Sequence, residues 1–244
     1  MGNTKEPDVV IIGGGICGTS TAFHLAQLGE KVTILERGEL ASESSGVNAG
    51  GVGGYGWGNI PDLQSYLTAG SFEIFKSIQL DMGYDIEFHA QGGLQAIHTR
   101  DQLEYARDKV FHSQSNGYSV ELITTREARA VEPEISDSLP GVMFLPKRGR
   151  ANPIKATLAF GRAASELKSV IKTNHEVQNI SPRPDYSWQV RTNQGNFTCG
   201  TVVLAAGAWS QPLGNTLGID IPIIPIRGQM WATQPVPPLS LIHI

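Results

Sequence analysis

A chain of 244 residues, 40% hydrophobic and 17% charged, is long enough to bury a sizeable core and has the make-up of an ordinary globular protein. Its formal net charge of −4 provides no basic stripe for nucleic acid, and two cysteines, Cys17 and Cys199, exclude a disulfide framework and point to a reducing compartment. Residues 1–8 lack a signal-peptide core, and the longest apolar run, 219–226, is interrupted by Pro222 and Pro225, so we expect a soluble cytoplasmic protein, or a mitochondrial-matrix one in a eukaryote, with no transmembrane segment.

Val9–Ile12 is a β-branched run of the kind a parallel strand buried on both faces requires. Gly13, Gly15 and Gly18 follow, then a helix with Ala22, Leu25, Ala26 and Leu28 on one face, stopped by Gly29. Lys31–Leu35 is the second strand, which completes a βαβ unit. Ser42–Gly58 is too rich in glycine for regular structure. Helical spacing resumes from Pro61 to Met82, with Gly83 as its stop. Ile86–Phe88 and Leu94–His98 read as strands, Asp101–Asn116 and Thr125–Val131 as helices, and Val142–Leu145 as a strand. A helix from Asn152 to Leu167 presents Ile154, Leu158, Ala159 and Ala163 on one face. Val170–Lys172, Val177–Ile180 and Trp188–Arg191 are short strands, and Asn193–Asn196 is a hairpin turn leading to Phe197. Thr201–Gly207 is a second buried apolar strand.

The Gly13-x-Gly15-x-x-Gly18 spacing gains meaning from its setting: strand before, helix after, and an acidic residue, Glu36, closing the next strand. Gly13 permits the turn, Gly15 lets backbone approach a pyrophosphate, and Gly18 lets helix and strand pack closely. The helix mouth offers unpaired N–H groups and partial positive charge to phosphate. Glu36 accepts ribose hydroxyls and repels a 2′-phosphate, which disfavours NADP. NAD and FAD share this half-site. The later course of the chain chooses between them, because it leaves for over a hundred residues before returning with a helix and Thr201–Gly207. An interrupted dinucleotide domain suggests a flavoprotein.

At GGGICG (Gly13–Gly18) with Glu36-Arg37, ESSGVNAGG (Glu43–Gly51), VVLAAGAWS (Val202–Ser210) and PIRGQ (Pro225–Gln229), the chain resembles the D-amino acid oxidase-like superfamily of FAD-dependent oxidoreductases, which includes glycine oxidase, sarcosine oxidase and D-amino acid dehydrogenase. The resemblance implies an α/β fold: a Rossmann-like FAD-binding domain interleaved with an α+β substrate domain on a mostly antiparallel sheet. The segments would be 1–60 and 151–215 for FAD, with 61–150 and the start of a further segment at 216–244 for substrate. It also implies a cofactor-binding set of Gly13, Gly14, Gly15, Ile16, Cys17, Gly18, Glu36, Arg37, Ser44, Ser45, Asn48, Ala49, Gly50, Val177, Ala206, Gly207 and Trp209. Within it, Ser44 and Ser45 would lie near the pyrophosphate, Asn48-Ala49-Gly50 near the flavin ring, and Val177 at the adenine. Relatives that attach FAD covalently do so through a His before the Ala-Gly of the second motif. Val47 and Asn48 stand there, so the expected cofactor is non-covalent FAD.

The implied reaction is oxidation of a C–N bond of an amine or amino acid, with oxygen or another redox carrier as final acceptor. A relative acting on a hydroxyl, or a non-catalytic FAD-binding protein, are the alternatives. No catalytic acid–base pair emerges, and the flavin would carry the chemistry. Arg227, in PIRGQ, either meets a substrate carboxylate or serves strand geometry. Lys147, Arg148 and Arg150 read as a solvated loop before a carboxylate site. Cys17 reads as a small buried residue before a redox thiol. Tyr55 and Trp57 either line the flavin pocket or pack the domain junction. His24 belongs to surface or packing, and His89, His98, His112 and His175 show no metal spacing. Because full-length members of the superfamily continue past PIRGQ, the ending PVPPLSLIHI reads as a truncation.

Overall fold

The computed structural model describes residues 6–53, 63–230 and 234. In chain order its elements are β1 (Val9–Ile12), α1 (Ile16–Gln27), β2 (Val32–Leu35), β3 (Gly51–Gly53), α2 (Leu63–Leu80), β4 (Gly93–Ile97), α3 (Arg100–Ser115), β5 (Glu121–Ile123), α4 (Thr125–Arg129), β6 (Gly141–Leu145), β7 (Arg148–Arg150), α5 (Pro153–Glu166), β8 (Val170–Lys172), β9 (Val177–Pro182), β10 (Trp188–Thr192), β11 (Gly195–Cys199), β12 (Thr201–Leu204), a 3-10 turn (Gly207–Trp209) and α6 (Ser210–Asn215). They form two compact units, one from residues up to Asn48 together with Pro153–Met230, the other built on Ala49–Asn152. Pro61, Tyr55, Trp57 and residues 239–244 lie outside the described residues.

The first unit has a four-stranded parallel sheet in the order β12-β1-β2-β8. Val9 pairs with both Thr201 and Val32, so strands from the two ends of the chain share one register. Every residue of β1 and β2 is buried, which is why neither strand alternates polar with apolar. On one face, α1 and α5 pack on Ile11 and Ile171 through small residues: a Cβ on Gly18 would stand 3.5 Å from Ile11 Cγ2, and one on Gly161 3.5 Å from Ile171 Cδ1. Phe23 and Phe160 meet edge to face at 5.9 Å between these helices. On the other face, Val10, Ile12 and Leu35 form a core with Ile180, Val190 and Cys199 of the three-stranded meander β9-β10-β11.

Two helix faces differ from the sequence reading. α1 buries Gly18, Thr19, Ala22, Phe23 and Ala26, whereas Leu28 is exposed, because the helix ends at Gln27 and Gly29 turns the chain away at φ +90°. α5 buries Ala156, Thr157, Ala159, Phe160, Gly161, Ala163 and Ala164, and leaves Ile154 and Leu158 exposed. Apart from Phe23 and Phe160, the buried positions of the two helices are alanine, glycine and threonine, small enough for the helices to pack closely. The strand expected to reach Gly207 stops at Leu204, since Gly207 takes φ +51° and opens the 3-10 turn.

In the second unit, β4-β6-β5 is an antiparallel sheet, and Val110 of α3 and Val120 share a core with Met143 and Leu145 of β6. Thr99 caps α3 by accepting the Gln102 N–H, and α4 opens on a reciprocal capping box between Thr124 and Glu127. Ile86–Phe88 is not a strand. Glu87 sits at φ +53°, and the flanking backbone groups bond individually, Phe88 N–H to Gln79 Oε1 and Ile86 C=O to the Asn152 N–H. The glycine-rich stretch does contain a strand: β3 pairs antiparallel with β7, so Arg148 and Arg150 sit in a ribbon rather than a loop. Only glycine fits at Gly53, where φ is +75° and a Cβ would stand 2.4 Å from the Lys147 carbonyl oxygen.

Candidate functional site

At the carboxyl ends of β1, β2 and β12, the first unit opens a cleft of about 260 Å³. It is the place where an open parallel sheet holds a ligand, between strands whose connections run in opposite directions. Gly13, Gly14 and Gly15 form its floor. Gly13 turns at φ +114°, and a Cβ there would overlap the Ala205 carbonyl at 2.4 Å. A Cβ on Gly18 would lie 2.0 Å from the Gly13 oxygen. These two glycines are therefore demanded by packing. Gly15 is different: the nearest atom to its missing side chain is the hydroxyl of Ser45, at 2.8 Å.

That hydroxyl accepts the backbone N–H of Ile16 at 3.0 Å, at the first turn of α1. A single side-chain oxygen thus sits where the helix mouth offers a donor and partial positive charge, and the space above Gly15 holds nothing bulkier. A phosphate oxygen suits the same donors, so the cradle fits a pyrophosphate.

Glu36 is buried beside it. One carboxylate oxygen accepts the Gly14 N–H at 2.6 Å and the other accepts the Gly38 N–H at 2.7 Å. Its backbone is equally committed, with Glu36 N–H bonded to the Lys172 carbonyl and Glu36 C=O to the His175 N–H. The acidic residue ties the end of β2 to the glycine turn, a structural role the motif alone does not announce. Each oxygen keeps a further lone pair, which is what a sugar hydroxyl needs.

Arg37, one residue on, extends across the cleft. Its guanidinium carbon lies 3.8 Å from the centroid of the Trp209 ring, and its Nη2 pairs with Glu43 Oε1 at 2.5 Å. Loop 38–48 is braced from below: Ala41 N–H donates to the Gly14 carbonyl, with Ala41 held at φ +61°, and Asn48 Nδ2 donates to the carbonyls of Ser44 and Ser45.

Of the expected cofactor residues, Gly13, Gly14, Gly15, Glu36, Arg37, Ser44, Ser45, Val177, Ala206, Gly207 and Trp209 line this one cleft. Ile16, Cys17 and Gly18 stand behind it in the first turn of α1, and Asn48 acts within its loop. Ala49 and Gly50 belong to the second unit. Cys17 is exposed, contrary to its reading as a buried residue, because position 17 falls off the face that carries Gly18, Thr19 and Ala22. Arg227 is exposed and in no regular element, and Lys147 is taken up by Glu73 at 2.8 Å.

His175, which has no metal-ligand spacing to mark it, is a cleft residue. Its Nδ1 donates to the Thr173 carbonyl at 2.7 Å, and its ring meets Phe197 edge to face. The signal for it is position, in the turn at the carboxyl end of β8. Glu39, Glu43 and Glu176 also line the cleft with Glu36. So many carboxylates confine any phosphate to the α1 mouth and oppose an additional one. Among the described residues no cluster of three or more His, Cys, Asp or Glu is placed to hold a metal, and no helix is long and apolar enough to cross a membrane.

A family model described as DAO, FAD dependent oxidoreductase, matches residues 8–243. The chain belongs to the DAO family. Its cofactor is FAD, and its members are oxidoreductases. This DAO chain is 27% identical over 246 residues to the mitochondrial dimethylglycine dehydrogenase of Rattus norvegicus, covering 96% of this chain and 27% of that protein. It is 30% identical over 220 residues to the 4-methylaminobutanoate oxidase (formaldehyde-forming) of Paenarthrobacter nicotinovorans, covering 88% and 26%. The crystal structure of glycine oxidase from Geobacillus kaustophilus superposes with a TM-score of 0.78 at 26% identity, over 87% of this chain and 58% of that one. The chain thus spans less than two thirds of each of these relatives.

Proposed function

We propose that the whole protein oxidises a carbon–nitrogen bond of an amine or amino acid, with FAD held non-covalently in the cleft of the first unit. The observation that carries this reading is the α1 mouth, where the Ile16 N–H and a single small hydroxyl meet above Gly15 beside the buried carboxylate of Glu36. The first unit serves as the FAD-binding domain and the second begins the substrate domain. Bound flavin supplies a two-electron acceptor for the carbon beside the amine nitrogen, and the resulting imine is hydrolysed by water. The chain's own residues bind and orient. Backbone amides at the α1 mouth neutralise the diphosphate, Glu36 accepts the ribose hydroxyls, and Ser45 adds a hydroxyl donor.

The choice of a nitrogen substrate rests on the names of the relatives: dimethylglycine dehydrogenase, 4-methylaminobutanoate oxidase, glycine oxidase and sarcosine oxidase subunit beta all take their names from compounds that carry an amine nitrogen. A hydroxyl substrate is the second reading, favoured by 27% identity to the anaerobic glycerol-3-phosphate dehydrogenase subunit A1 of Haloferax volcanii, over 93% of this chain and 40% of that one. Anaerobic bleaching of the flavin absorption by a panel of amines, amino acids and alcohols separates the two. Bleaching by alcohols alone overturns the amine reading, and a protein that binds FAD but is bleached by neither class is a non-catalytic flavin binder.

A further inference from the structure

The contact between Arg37 and Trp209 joins segments that the sheet keeps apart. Arg37 follows β2 and Trp209 follows β12, and in the order β12-β1-β2-β8 these strands flank β1. Two strand spacings come to about 10 Å, and the pair closes that distance across the carboxyl end of β1, where Gly13–Gly15 lie. Both side chains line the cleft and both are part-exposed, Arg37 by 38% and Trp209 by 42%, so they form its rim. Glu43, six residues on in the same connection after β2, holds the guanidinium at 2.5 Å. A planar guanidinium on an indole face, pinned by a carboxylate, is a directional contact and not a chance approach of two surface groups.

We propose that Arg37, Trp209 and Glu43 form a strap across the cleft that sets how slowly a bound dinucleotide leaves. The proposal rests on the reading of the cleft as the FAD site. A ligand on the glycine floor escapes only after the guanidinium parts from the indole, so the strap acts on the dissociation rate. It contributes no donor to the α1 mouth, which stays formed when the strap is open. Arg37 and Trp209 are positioning residues in this account.

The test loads the 244-residue chain with FAD, dilutes it, and follows the rise of free-flavin fluorescence. Trp209→Leu and Arg37→Gln should each release FAD roughly threefold to tenfold faster, with the association rate changed less than about twofold. The double variant should release no faster than the quicker single, because each substitution already removes the shared contact. Trp209→Tyr, which keeps an aromatic face, should restore slow release. Unfolding midpoints of the flavin-free variants should match the parent, and if the Trp209 variants fail to fold, Arg37→Gln and Glu43→Gln carry the test alone. Unchanged release, strictly additive effects, or no rescue by tyrosine overturns the strap. A parent chain that binds no FAD overturns the reading of the cleft itself, a separate result.

Discussion

The carboxylate of Glu36 accepts the backbone N–H of Gly14 at 2.6 Å, across twenty-two residues of sequence. With its second oxygen on the Gly38 N–H, the side chain fixes the glycine turn to the end of β2 with no ligand involved. Replacing it by glutamine leaves one oxygen and one NH₂ group, which places a donor against a donor at a buried site. Glu36→Gln should cost about 1–3 kcal/mol of stability, and urea unfolding of the flavin-free chain measures it. The same variant should bind FAD at least about tenfold more weakly, which flavin fluorescence titration reads.

Gly18 and Gly15 answer to different demands, and alanine substitutions should separate them. At Gly18 a Cβ meets backbone, the Gly13 oxygen at 2.0 Å, so Gly18→Ala should destabilise the fold by several kcal/mol or prevent it. At Gly15 the backbone is extended, with φ −79°, and a Cβ meets only the rotatable Ser45 hydroxyl. Gly15→Ala should fold with less than about 1 kcal/mol of loss and fail to take up FAD. Circular dichroism and flavin absorbance on the two variants check the contrast.

Lys168 lies just past α5 at φ +73°, in a backbone region that favours glycine. The bonds around it, Lys168 N–H to Ser165 C=O and Ser169 N–H to Ala164 C=O, are those of a Schellman termination. Lys168→Gly should therefore raise stability by about 0.5–1 kcal/mol, read as a higher midpoint in thermal unfolding.

The two thiols should react at different rates. Cys17 is exposed in the first turn of α1. Cys199 is 3% exposed, and burial pushes its thiol above the ordinary cysteine range, which lowers the thiolate fraction at neutral pH. A disulfide reagent should label one cysteine quickly in the native chain and both in urea, and Cys17→Ser should abolish the fast phase.

Legibility in the sequence depends on where each constraint acts. The strand, glycine turn, helix and second strand at the start of the chain are readable because each imposes a local residue type. The role of Glu36 as a brace is not, since the Gly14 amide it holds lies far back in sequence. β3 and β7 give little warning because Gly-Val-Gly and Arg-Gly-Arg hold a single β-branched residue, Val52, and are too short to show the alternation that announces a strand. The buried faces of α1 and α5 defeat pattern reading for a related reason. Hydrophobic periodicity weighs large side chains, whereas these two helices bury one phenylalanine each among alanine, glycine and threonine. His175 carries no motif, and only the sheet order reveals that the turn after β8 opens on the cleft.

The pairing of β1 with β12 has a consequence for biogenesis. Val9 waits for Thr201, nearly two hundred residues later, so at ordinary ribosomal speeds the first strand emerges on the order of ten to forty seconds before its partner exists. The intervening Ala49–Asn152 is contiguous and can collapse in that interval. Val9–Ile12, wholly apolar, meanwhile presents an unpaired edge, and this nascent segment is where a holdase chaperone would be needed most.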